Sequence, residues 1–362
     1  MTIADSKTES AVMIPSRPSR SSVFMALTAL LFFMALLSLA IGPTGISLHA
    51  LPRALAAYLG YTSDSAAERD RLVLIDLRLP RTLLAAFVGA ALATSGAMMQ
   101  GLFRNPLADP GLIGVSSGAA LAAIATIVLG HGIAAPLVAP LGIYALPLAA
   151  FVGGLITTII LVAIAGRHGQ LAVGTLLLAG IAVGALAGSI SGFIAYASDD
   201  RELRDLTLWS MGSLSGASWQ KVFAVTPFAI AIGFVIPRLT RGLNGFLLGE
   251  AEAMHLGIDT EQIKRLTIAT TAAAVGAAVA VAGVIGFVGL VVPHVMRLIS
   301  GPDNRIVLPG SALLGATLVM VADMIARMAV RPAELPIGVV LALIGAPVFL
   351  HLVLRRGMGG WE

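Results

Sequence analysis

Residues 284–299 read VIGFVGLVVPHVMRLI. The stretch is apolar enough for a lipid interior, yet its sixteen residues fall short of the roughly 20 that a helix needs to span a bilayer. Gly286, Gly289, Pro293, His294 and Arg297 interrupt it. Around it lie nine clearer apolar segments, at residues 23–41, 79–100, 111–130, 144–165, 171–197, 222–236, 266–283, 307–326 and 337–354. Whether the chain makes nine or ten passes therefore rests on this one stretch, and charge placement decides it. With the N-terminus inside, Arg104, Arg167, Arg238, Arg241, Lys264 and Arg265 fall on the cytoplasmic side. Arg297, Arg305, Arg355 and Arg356 join them only if the short stretch carries the chain back across. The expectation is an all-α polytopic membrane protein of ten transmembrane helices per subunit, the eighth short and broken. Such a break survives only where protein or an aqueous cavity surrounds it.

Composition agrees. Of 362 residues 57% are hydrophobic and 12% charged, about half the ~25% of a soluble domain. The mean hydropathy of +0.94 excludes a water-soluble fold. Cysteine is absent, which removes disulfides, thiolate metal sites and a cysteine nucleophile together. A net charge of +4 is too small to argue for nucleic acid. Residues 1–21 read as a polar cytoplasmic tail, 22–356 as one transmembrane domain, and 357–362 as a second cytoplasmic tail. The first apolar run ends in Gly42-Pro43 without a small-residue cleavage pattern, so it reads as a retained span, not a signal peptide. In this topology most external arginines lie near acids such as Glu68, Asp70, Asp76 and Glu334, which predicts a salt-bridged outer surface.

No P-loop motif occurs, and the only lysines are Lys7, Lys221 and Lys264, so the chain cannot cradle a nucleotide's phosphates in that way. It lacks H-E-x-x-H, and its six histidines are scattered. No catalytic residue and no metal site are expected, and if ATP drives this protein another chain binds it. An ion-coupled secondary transporter would need intramembrane ionisable groups. Asp323 is the main candidate, and its i+4 spacing predicts a pair with Arg327.

Three further features bear on function. Arg78-Leu79-Pro80-Arg81 opens the second span with two arginines on one helix side. They are either snorkelling interfacial cations or external cations awaiting a carboxylate-bearing partner. Gly180, Gly184, Gly188 and Gly192 form a four-residue-spaced ridge, which suits either close helix packing or a smooth wall of a wide translocation path. Within the cytoplasmic segment 243–265, residues 249–257 (GEAEAMHLG) read as a short amphipathic helix with Gly257 at its C-terminus. It caps the bundle or fits a partner's groove.

The chain resembles the membrane permease subunits of type II ABC importers for vitamin B12, iron-siderophores and haem. The shared text is RLPR at 78–81, GAALATSGAMMQ at 89–100, RNPLADP at 104–110, GVSSGAA at 114–120, GLVVPHVMR at 289–297 and ELPIGVVLALIGAPVFL at 334–350. The resemblance implies a homodimer in the bacterial inner membrane, with both termini cytoplasmic and the pathway on the two-fold axis. It implies two copies of a separate ABC ATPase that bind ATP and Mg, and a periplasmic binding protein that delivers the substrate. By residue, it implies docking of that carrier at Arg78, Arg81 and, from the A-D-x-x-A-R pattern, Arg327. It further implies ATPase coupling at Gly249, Glu250, Ala253 and Gly257, and a cytoplasmic gate at Asn105 and Leu107. A second gate element is not carried over, because Val173-Gly174 stands where the B12 importer has Ser/Thr. The segment from Ser198 to Thr207 followed by WSMGSL at 209–214 looks most like the haem-transporting branch. Its W-x-x-G-S-L core is shared with siderophore importers, so haem is the first reading and an iron(III)-siderophore or vitamin B12 the alternative.

Overall fold

The computed structural model describes residues 19–357 except 43–44, 47, 63, 131, 133, 167–170 and 331, with the side chains of 352, 353 and 355–357 also left out. Most of both expected tails, and the side chains of Arg167, Arg355 and Arg356, therefore lie outside the described residues. Helices carry the fold, and no strand occurs among the described residues. In chain order they are α1 (Arg20–Ala40), α2 (Leu51–Tyr58), α3 (Ser65–Arg71), α4 (Leu79–Leu102), α5 (Val115–Leu129), α6 (Ala135–Val138), α7 (Ala145–Ala165) and α8 (Val173–Tyr196). There follow α9 (Asp200–Ser210), α10 (Trp219–Phe246), α11 (Glu250–His255), α12 (Thr260–Ala282), α13 (Val288–Ser300), α14 (Asn304–Ala329) and α15 (Ile337–Gly357).

Each apolar segment of the sequence falls on a helix, yet their lengths differ. Among the described residues, seven helical stretches are long and apolar enough to cross a membrane, and Val115–Leu129, Val288–Ser300 and Ile337–His351 are shorter apolar helices. The 13 residues of α13 reach only about 20 Å at 1.5 Å per residue. Its start is set by backbone conformation: Gly283 (φ 71°) and Phe287 (φ 67°) are left-handed, which stops α12 and re-aims the chain. The expected third span begins later than its apolar run, because Gly114 (φ 73°) separates a 3-10 turn from α5. α10 overshoots its apolar run by ten residues to Phe246. Hydrogen bonding carries a helix past the end of its lipid-compatible sequence.

At the centre lies α4, buried along most of its length against α10, α12, α13 and α14. Two glycines of the 89–100 motif explain how neighbours come so close. Gly89 meets the backbone of Gly315 on α14, and Gly96 meets the backbone of Gly289 on α13. Without side chains, these helices cross almost backbone to backbone. α8 is the reverse case, with large apolar residues such as Leu178, Ile181 and Phe193 exposed.

Candidate functional site

At one end of α4 the structure gathers the three arginines singled out by sequence. The chain enters α4 through a π-helical stretch, Leu72–Arg78, and Pro80 starts the α-helix proper. Arg78 turns inward and is 5% exposed. Its Nη1 donates to the carbonyls of Leu39 (2.6 Å), Ala40 (3.1 Å) and Ile46 (2.9 Å). It thereby caps carbonyls at the C-terminal end of α1 that have no helical partner. Arg327 is equally buried, with Nη2 donating to the hydroxyl of Ser38 (3.0 Å) and Nε 3.1 Å from Asp323. The i+4 pair expected from sequence is therefore present.

Arg81 joins the same carboxylate from the other side. Its Nε and Nη2 donate to Asp323 Oδ1 at 2.9 and 2.8 Å, and its outer edge donates to Glu334 from Nη1 (3.0 Å) and Nη2 (2.9 Å). Asp323 is 1% exposed, against 12% for the Arg81 side chain and 32% for Glu334. A cavity of about 220 Å³ is lined by Arg78, Arg81, Arg327, Glu334 and Ser215. Neither sequence reading of the RLPR arginines describes this arrangement fully. Arg78 and Arg81 do not snorkel outward, and both, like Arg327, are already engaged from within. Only Arg81 presents an edge toward the partly exposed end of the cluster. The ion pairing expected among these charges is present at Arg53–Asp70 (3.0 Å) and Arg71–Glu68 (2.6 Å). Asp199 and Glu202 form the capping box of α9.

The second cluster sits at the other end of α4, whose 24 residues span about 36 Å. α11 is the short helix expected between Gly249 and Gly257, and both glycines take positive φ (122° and 76°) where it begins and ends. One expectation here needs correction. Ala253 is fully buried, packed on Gly245 of α10, so it supports α11 and presents no contact surface. Glu250 is likewise occupied, paired with Lys264, whose Nζ also bonds Glu261 (3.0 Å) and the carbonyl of Leu171 (3.1 Å). Gly249 is buried and Gly257 exposed, and the large exposed apolar side chains around α11 are Leu247, Leu248, Met254 and Leu256, which sequence reasoning passed over. Apolar residues inside a polar cytoplasmic segment were the available signal. Beside α11, Asn105 and Leu107 are exposed, and Asn105 Oδ1 accepts from the Leu107 amide (2.9 Å). The same turn ends at Asp109, whose carboxyl burial pushes up in pKa, against a lowering hydrogen bond from the Gly111 amide.

The glycine ridge of α8 divides. A Cβ on Gly180 would collide with the Leu112 carbonyl, so this position packs, whereas Gly184 meets only Ser117 Oγ at 3.8 Å and Gly188 and Gly192 meet nothing within 4 Å. Packing within one subunit accounts for the first glycine alone.

The chain is similar to known proteins along most of its length. It is 49% identical to the hemin transport system permease protein HmuU of Yersinia pestis over 283 residues, 78% of this chain and 83% of that one. It is 41% identical to the vitamin B12 import system permease protein BtuC of Escherichia coli O17:K52:H18 over 333 residues, 92% and 95% of the two chains. Among solved structures, an ABC transporter of the metal-chelate type in an inward-facing conformation superposes with a TM-score of 0.79 at 31% identity, covering 92% of this chain and 99% of that one. The profile of the FecCD transport family matches residues 30–355, and with relatives this similar over this much of its length, the chain belongs to that family.

Proposed function

We propose that this integral membrane protein is the permease subunit of an ATP-driven inner-membrane importer that takes haem from a periplasmic carrier into the cytoplasm. In this reading it makes ten passes with both termini cytoplasmic and works as a homodimer with two copies of a separate ATPase. The observation that carries it is the pairing of two sites on one central helix. A walled basic cavity lies at one end of α4, and an exposed apolar knob, Leu248, Met254 and Leu256, lies beside the other. A cluster of guanidiniums suits a carboxylate-bearing carrier, and an apolar knob suits a groove in the ATPase. Arg81 meets the carrier's carboxylate directly, while Arg78 and Arg327 shape and charge the cavity from beneath. Asn105 and Leu107 form part of the cytoplasmic gate. Gly184, Gly188 and Gly192 line the pathway against the second subunit, whose presence would also cover the exposed apolar faces of α8 and α15.

Haem is favoured by the 49% identity to the hemin permease. The longer match to the vitamin B12 permease favours cobalamin as the second reading. In proteoliposomes holding permease, ATPase and carrier, haem should be taken up and cobalamin should not. Uptake of cobalamin without haem would replace the first reading with the second.

A further inference from the structure

The docking cavity already contains an acid. We propose that Glu334 is a resident carboxylate that holds the place on Arg81 taken by the carrier's acidic residue, so that docking is an exchange of carboxylates at Arg81. The inference rests on the docking reading above and adds to it a competitor built into the permease.

Donor counting on Arg81 leads there. A guanidinium offers five N–H groups. Asp323 takes those on Nε and one on Nη2, and Glu334 takes the second on Nη2 and one on Nη1. One hydrogen remains, too few for the two-point pairing that makes arginine–carboxylate recognition strong. An incoming carboxylate must therefore displace a partner. Asp323 is buried and also paired with Arg327, so its departure would strand a charge in a dry site. Glu334 is a third exposed, stands outside any helix, and faces the cavity. It is the partner that can leave.

The exchange also explains why the acid is there. Without Glu334, Arg81 and Arg327 would share the single carboxylate of Asp323 whenever no carrier is bound, an uncompensated charge that burial penalises. One carboxylate for another leaves the charge of the site unchanged. The displaced residue is also next to a hinge-like attachment. Leu335 N bonds Ala326 O (3.1 Å), Ile337 N bonds Gly212 O (3.0 Å) and Gly338 N bonds Met211 O (3.1 Å). Moving Glu334 thus pulls on the backbone that anchors the start of α15.

The test measures affinity of the purified carrier for the reconstituted permease–ATPase complex. Glu334→Gln, which keeps the shape and removes the charge, should bind the carrier more tightly by up to about fivefold, the upper end for a partly exposed ion pair. Arg81→Ala should weaken binding at least thirtyfold. Unchanged or weaker binding by Glu334→Gln, with Arg81→Ala still defective, overturns the exchange and spares docking. Unchanged binding by Arg81→Ala overturns docking itself. A second readout covers the case in which Glu334→Gln does not fold. The chain has no cysteine, so Ala333→Cys, at an exposed site, can carry a single environment-sensitive dye. Carrier binding should shift its emission, and no shift contradicts the exchange.

Discussion

Gly96→Leu is expected to abolish recovery of folded permease, whereas Gly188→Leu should fold normally and lose uptake. A Cβ on Gly96 would overlap the Gly289 carbonyl and lie 2.5 Å from the Gly289 Cα. Those atoms are backbone, so no rotamer change relieves the collision, and α13 would have to move off α4 as a body. Ordinary overpacking costs ~1–3 kcal/mol; this collision should exceed that range and consume much of a stability of roughly 5–15 kcal/mol. Around Gly188 there is open space within 4 Å, so a leucine there should disturb only what passes or packs outside the subunit. Monodispersity and melting temperature in detergent, followed by uptake in proteoliposomes, separate the two. A Gly96→Leu protein that melts like the wild type would refute the close crossing. A Gly188→Leu protein that fails to fold would return the ridge to packing.

Arg327→Ala is expected to cost stability first and Arg81→Ala carrier affinity first, although both belong to one cluster. Arg327 is 4% exposed and holds Asp323 and Ser38 between α14 and α1. Removing one member of a buried pair typically costs ~3–5 kcal/mol, and the low end applies here because Arg81 still holds Asp323. Arg81→Ala leaves the Arg327–Asp323 pair in place and strips the cavity of its accessible cation. Truncating a partly desolvated interfacial charge costs ~2–5 kcal/mol of binding, at least about thirtyfold in affinity. Thermal melting and carrier titration on the same preparations decide it. Wild-type melting in Arg327→Ala together with complete loss of binding would mean that Arg327 touches the carrier directly.

How far the sequence could be read follows the range of the interactions. Span positions, the break before α13 and the short helix α11 were legible, because apolar runs, glycine and proline act within a few residues. The Asp323–Arg327 pair was legible for the same reason, being one helical turn. Arg81 with Asp323 was not, since 242 positions separate them and nothing local announces the meeting. The inward turn of Arg78 was not legible, because the carbonyls it bonds lie at the end of α1 and in the segment after it. Ala253 shows the limit of pattern within a helix: six residues are too few for periodicity to say which face turns inward. The glycine ridge of α8 was conspicuous and mostly unpacked within this chain, while Gly89 and Gly96, seven residues apart on α4, each meet the backbone of a neighbouring helix. Equal spacing marks a face, and only the neighbouring helix tells whether something presses against it.

In the proposed function, a separate ATPase drives transport through this chain. This is tested most directly by haem uptake into proteoliposomes containing the permease and loaded carrier, with and without the ATPase subunit, ATP and a proton ionophore. Uptake should occur only when both ATPase and ATP are present, at a rate the ionophore leaves unchanged. Uptake that persists without the ATPase and collapses with the ionophore would contradict it and assign the chain to ion-coupled transport.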